Sequence, residues 1–158
     1  MAVVVAAAAA AAVVTEVAHV KVTLFSHDEA NALARKLTPL VGKLVATRHE
    51  LDEIETSVAA LTLAVAGADA GNPDALELLN LQQRRDTLGR QIGDGVRGIH
   101  EQGALVKDLD QGLLDFYALS GDRLVFLCWK LGETEISHWH TLEGGFSTRQ
   151  PLNRTQRD

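Results

Sequence analysis

Leu33, Leu37, Leu40, Leu44, Thr47, Leu51, Ile54, Val58, Leu61 and Val65 follow one another in alternating steps of four and three residues. That spacing is a heptad seam with one polar member, Thr47, and it predicts a long helix whose apolar stripe needs a partner. Ahead of it, Ser26-His27-Asp28-Glu29 reads as a helix start. Ser26 can accept from the Glu29 backbone while the Glu29 carboxylate reaches back, and both acids suit the positive end of the helix dipole. Pro39 lacks a backbone donor and crowds the preceding turn. It predicts a kink near residues 37–39, or a short first helix followed by a long one from Thr38.

Residues 67–72, Gly-Ala-Asp-Ala-Gly-Asn, form a turn by composition. Asn72-Pro73 then supplies an N-cap with proline at the first helical position. The partner stripe follows as Leu78, Leu81, Arg85, Leu88, Ile92 and Ile99. Two heptad-bearing helices joined by a short polar link should fold back antiparallel. Gly93, Gly95 and Gly98 each cost about 1 kcal/mol against alanine inside a helix, so the second helix is predicted to fray or bend between residues 93 and 103.

Beyond residue 104 the period changes to that of strands. Leu105-Val106-Lys107-Asp108-Leu109 and residues 112–119 read as two strands, and Ser120-Gly121-Asp122-Arg123 as a hairpin turn. Leu124-Val125-Phe126-Leu127-Cys128-Trp129 is an unbroken apolar run, suited to a central strand covered on both faces. Residues 130–134 turn at Gly132, residues 135–140 read as a further strand, and residues 149–158 as a loose polar tail. Residues 19–25 alternate and predict a short strand or extended segment leading into the first helix. The predicted fold is therefore α+β: a long antiparallel two-helix hairpin, kinked near Pro39, followed by a small antiparallel sheet. A single domain is expected over residues 19–152 (19–103 the extended lead and hairpin, 104–152 the β segment), with a polar tail at 153–158.

The 158 residues are 46% apolar but only 4% aromatic, so Ala, Leu and Val must fill the core. A net charge of −6 argues against nucleic acid, which demands clustered Lys and Arg. One cysteine, Cys128, excludes an intrachain disulfide and fits a reducing, cytoplasmic setting. Residues 1–14 are an unbroken apolar run, shorter than the roughly 20 residues of a membrane-spanning helix. No Lys or Arg precedes them as a secretory signal would require, although Ala10 and Ala12 would suit cleavage. The preferred reading is a low-complexity lead-in over residues 1–18, with no membrane partner.

Gly93-Asp94-Gly95-Val96-Arg97-Gly98 matches the dinucleotide fingerprint letter for letter. The fingerprint works only where the glycines follow a strand and open a helix. These lie at the far end of a helical pattern, and no nucleotide is expected. His138 and His140, on either side of Trp139, would share one face of a strand and could share a metal ion with a nearby carboxylate. Arg149, behind Gly144-Gly145-Phe146, could hold an anion, or could pair with a structural acid such as Asp115 or Glu133 and pin the C-terminal loop. Cys128 has no CxxC partner and reads as a small buried hydrophobe rather than as a nucleophile paired with His140.

One set of motifs carries a resemblance. It comprises residues 106–116 (Val-Lys-Asp-Leu-Asp-Gln-Gly-Leu-Leu-Asp-Phe), Leu127-Cys128-Trp129-Lys130-Leu131-Gly132-Glu133, Trp139-His140, Gly145-Phe146, Arg149 and Pro151. With Glu29-Ala30-Asn31 at the head of the first helix, the chain resembles, over residues 24–152, the bacterial family known as domain of unknown function 2203. The resemblance implies a cytosolic bacterial protein of hairpin-plus-sheet type and carries no activity across. His140 belongs to that pattern and His138 does not, which leaves one favoured histidine. Residues before His19 lie outside the pattern, as an overlong start or a local extension.

Three functions follow from the sequence. The first is a binding module in which Asp108, Asp115, Glu133, His140 and Arg149 gather at one end of the sheet around a small anionic ligand or a divalent metal, with His140 and Glu133 as metal ligands. The second is a structural protein that self-associates as a homodimer through the hairpin, by way of Ala59, Ala60, Leu63 and Ala64. The third is an enzyme using His140 as general acid or base beside Glu133, with Arg149 orienting an anionic substrate.

Overall fold

A computed structural model describes residues 22–69 and 71–153. The low-complexity lead-in over 1–18, the first residues of the alternating segment at 19–21, and the end of the polar tail at 154–158 lie outside the described residues. Two helices, α1 (His27–Ala64) and α2 (Pro73–Glu101), precede five short strands. These are β1 (Ala104–Asp108), β2 (Leu113–Ser120), β3 (Arg123–Lys130), β4 (His138–Thr141) and β5 (Gln150–Pro151), in the order β1-β2-β3-β4-β5 and antiparallel throughout. No helix among the described residues is long and apolar enough to cross a membrane.

Both helix starts follow their sequence signals. The Ser26 backbone N–H donates to Glu29 Oε2 at 2.8 Å and the Glu29 N–H donates to Ser26 Oγ at 3.3 Å, closing the capping box. Asp74 N–H donates to the Asn72 side chain at 2.8 Å. Pro39 does not divide α1, which runs as one helix of 38 residues. The proline forfeits one backbone hydrogen bond, while Leu37 and Val41 on either side are buried at 2% and 1% exposure and hold the helix on the core.

The predicted fraying of α2 is corrected as well: it continues through all its glycines to Glu101. Packing outweighs propensity here. A Cβ on Gly95 would stand 2.5 Å from Leu44 Cδ2, so the missing side chain lets α2 approach α1 closely. Leu88 and Ile99 are the fully buried residues of α2. The glycine fingerprint thus lies in a helix interior, where backbone N–H groups are already bonded along the helix.

The core lies between the first half of α1 and one face of the sheet. It contains Ala30, Ala34, Leu37, Val41 and Leu44, with Leu114, Phe116, Val125, Leu127 and Trp129 opposite. Leu51 and Val58 are buried farther along the hairpin, outside this cluster. Residues 22–25 form no strand, yet Phe25 N–H donates to Tyr117 O at 2.8 Å. β1 pairs with β2 only as far as Phe116, and the extended lead takes up the next backbone acceptor. The loose tail predicted from residue 149 is corrected too. Gln150 and Pro151 pair with β4, Leu152 N–H donates to Ser137 O, and Leu152 is buried in the core.

Gly93 and Gly95 should respond oppositely to alanine. A Cβ at Gly93 meets nothing within 4 Å, so Gly93→Ala should stabilise the protein by about 1 kcal/mol. Gly95→Ala must displace the buried Leu44 and should lose about 1–3 kcal/mol through overpacking, which cancels or exceeds that gain. Urea unfolding of the two variants against the parent checks the contrast.

Candidate functional site

The turn at Gly121-Asp122 sets the register of β2 and β3, with Ser120 opposite Arg123 and Gly121 at φ +63. A glycine at the first position of a two-residue hairpin loop accepts that conformation without strain. Counting back along the ladder places Asp115 directly across from Cys128. Side chains alternate between faces, so Leu114, Phe116, Leu127 and Trp129 enter the core while Asp115 and Cys128 share the face turned away from the helices. β4 pairs Phe126 with His140, bringing the imidazole onto this same face.

There the three side chains converge. Asp115, Cys128 and His140 are 2%, 1% and 3% exposed, and one ligand-type atom from each lies within 4.8 Å of the others. His140 Nε2 is 3.1 Å from Asp115 Oδ2, and its Nδ1 is 2.8 Å from the Thr141 carbonyl. A carbonyl only accepts, so Nδ1 carries a proton and donates it. Nε2 is thereby the atom that meets Asp115, and one proton lies between them, on the imidazole or on the carboxyl.

Burial holds the Asp115 carboxyl above its ordinary value, opposed by His140 and then by Lys107. Burial also pushes the Cys128 thiol up to about 12, reinforced by the negative charge of Asp115. Lys107 Nζ lies 3.9 Å from Asp115 Oδ2 and 4.7 Å from the centre of the Phe126 ring. Lys107, Asp115, Cys128, His140 and residues 144–146 border a pocket of about 310 Å³. A second pocket of about 310 Å³, bordered by Leu24, Leu119, Val125 and Trp139, is mainly apolar; its histidine, His27, is bonded to the Ile136 carbonyl at 2.7 Å.

The five residues singled out in the sequence fall into three groups. Asp115 and His140 meet. Glu133 and Arg149 meet each other, with Arg149 Nη1 donating to Glu133 Oε1 at 2.8 Å. The other Glu133 oxygen accepts from Lys130 N–H at 3.0 Å, and Glu133 is not in the three-residue metal-capable group. Arg149 also stacks over Phe146 at 4.1 Å, fastening the loop that borders the pocket. Asp108 reaches the same pocket, but its carboxylate accepts from Asp110 N–H, Gln111 N–H and Gln111 Nε2 within the β1–β2 turn. His138 lies across from Cys128, with Nδ1 2.9 Å from Ser137 Oγ.

Cys128 and Lys107 are the members that the sequence reading missed. The apolar run around Cys128 suggests an inert core thiol. Alternation instead turns it away from the apolar core, and the two-residue hairpin was the signal that could have paired it with Asp115. Among the described residues no buried side-chain N or O atom lacks a hydrogen-bond partner, so the polar face is internally satisfied.

A two-helix hairpin on one face of an antiparallel meander, with a buried Asp–Cys–His group on the other, defines an α+β protein with a buried polar cluster. The chain belongs to the family of uncharacterized conserved proteins DUF2203, whose profile matches residues 23–152. No curated protein and no solved structure gives a significant match.

Two outcomes test this geometry. The Glu133–Arg149 pair is about four-fifths buried and worth about 1 kcal/mol. Arg149→Gln should therefore speed modification of Cys128 by a thiol reagent about fivefold, by loosening the loop at residues 144–149. An unchanged rate would show that the loop does not guard the thiol. The second concerns pH. A carboxyl whose pKa is raised by folding favours the folded state while protonated, and that contribution is lost as pH rises through its folded value. Asp115→Asn should flatten this decline, measured by urea unfolding at a series of pH values upward from 4 in about half-unit steps.

Proposed function

We propose that this protein is a metal-binding module whose centre is Asp115, Cys128 and His140. The observation that carries the reading is the convergence of three different ligand types, buried and within 4.8 Å of one another, beside a pocket. A tetrahedral zinc site with bonds of about 2.0–2.3 Å places its ligand atoms about 3.3–3.6 Å apart. The 3.1 Å between His140 Nε2 and Asp115 Oδ2 is already close to that value. Small side-chain rotations bring in the sulfur.

The imidazole is held as metal-binding histidines usually are. Its Nδ1–H donates to a backbone carbonyl, which fixes the tautomer and leaves Nε2 for the ion. Thiolate and imidazole together favour a zinc-class ion over calcium or magnesium, which prefer oxygen. Loading must displace the proton between Asp115 and His140 and the thiol proton of Cys128, so metal uptake releases protons. Glu133 and Arg149 serve this centre by fastening the covering loop rather than by touching the ion.

Protein purified without a polyhistidine tag, then stripped and titrated with zinc against a competing chelator, should take up one ion per chain. Cys128→Ser and His140→Ala should each weaken binding by about a hundredfold or more, whereas Glu133→Gln should retain the ion. Equal affinity in all four proteins, or none in the parent, would overturn the assignment.

A further inference from the structure

We infer that the metal centre keeps an open coordination position facing the pocket, and that this position takes a small anion from solvent with Lys107 as its second contact. The inference rests on the metal reading above. Three observations carry it. Among the described residues the metal-capable group has three members, Asp115, Cys128 and His140, one short of the four protein ligands of a closed zinc site. Centres with three protein ligands hold water or an exogenous ligand in the fourth position.

The space beside the group is a pocket of about 310 Å³, enough for several non-hydrogen atoms beyond the ion. Part of its wall is Gly144 and Gly145, which contribute no side chains. Their backbone N–H groups are already taken, by Thr141 O at 3.1 Å and Thr148 Oγ1 at 2.9 Å. The loop therefore supplies room rather than donors. The two glycines themselves offer no fourth ligand.

Lys107 supplies the charge. It stands on β1 at the rim of the pocket, its side chain 44% exposed, with Nζ 3.9 Å from Asp115 Oδ2. Ionised Asp115 and Cys128 would neutralise a divalent ion, leaving the ammonium without an equal counter-charge inside the group. The one further carboxylate on the pocket, Asp108, is held by three N–H donors of its own turn. An anion bound at the open position would complete the metal's coordination and lie within reach of Lys107. The chemistry fits a monoanion of few atoms, such as a carboxylate.

Cobalt(II) is the probe, because its visible bands report both thiolate coordination and ligand exchange. The cobalt-loaded full chain should show tetrahedral bands that shift in a saturable way on titration with acetate or azide. Lys107→Ala should still take up cobalt and, once loaded, bind the anion about tenfold more weakly. Cobalt bands that no anion moves would show a closed site and overturn this inference while leaving the metal reading intact. Equal anion affinity in Lys107→Ala would remove the lysine from the site. Failure to bind cobalt at all would overturn the metal reading itself and this inference with it. Lys107 is exposed enough that its replacement leaves the fold intact, and a circular dichroism melt confirms that.

Discussion

The rest of the molecule depends on the register that the two-residue turn at Gly121-Asp122 imposes on β2 and β3. With Ser120 opposite Arg123, every later pair is fixed, and Asp115 must stand across from Cys128. A slip of one residue in β2 would exchange the two faces of that strand, turning Asp115 into the apolar core and Phe116 out of it. Burying an unpaired carboxylate among Leu37, Val41 and Leu44 would cost several kcal/mol. The apolar face and the polar site are therefore two consequences of one register, and neither can shift without the other.

The helices enforce the same choice from the other side. α1 presents Ala30, Ala34, Leu37, Val41 and Leu44 to the sheet, two small residues followed by three larger ones. α2 closes on α1 because Gly95 has no side chain to hold Leu44 away. Glycines costing about 1 kcal/mol each in helical propensity are thus retained in a helix that tertiary packing stabilises. The other face also carries buried side chains, Asp115, Cys128 and His140, and these need a cover of their own. The loop at residues 144–149 does this, fastened by the Glu133–Arg149 pair and by Arg149 stacked on Phe146.

Much of the architecture was legible because it rests on local signals: the heptad seam, the capping box at Ser26, the Asn72-Pro73 start and the hairpin turn. The continuity of α1 through Pro39 and of α2 through its glycines was not, since propensity describes a helix without its neighbours. The site was half legible. Asp115 and His140 stand out as ionisable residues in apolar strands, but the seven residues between β3 and β4 are too many to fix a register by turn type. The meeting of His140 with Asp115 is set by backbone pairing that no local pattern announces. Glu133 and Arg149 carry charge in the same stretch and so read as site members, and the structure pairs them with each other.

On the metal reading proposed above, Asp115, Cys128 and His140 would have two ways to satisfy one another, and the difference between them would be the chemistry of the site. Without a metal, the histidine donates from Nδ1 to Thr141, a proton lies between Nε2 and Asp115, and the thiol stays protonated with its value pushed up to about 12. In the proposed metal-bound form, the same three groups would serve as a carboxylate, a thiolate and an imidazole lone pair, and would give up the protons that they share without an ion. Low dielectric raises the cost of an isolated charge and also strengthens its attraction to a bound cation. The burial that makes the free thiol inert is therefore what would make the metal-bound centre tight. A carboxylate and thiolate at the protein surface would lose that advantage to water, which accounts for placing them under a fastened loop rather than at the open edge of the sheet.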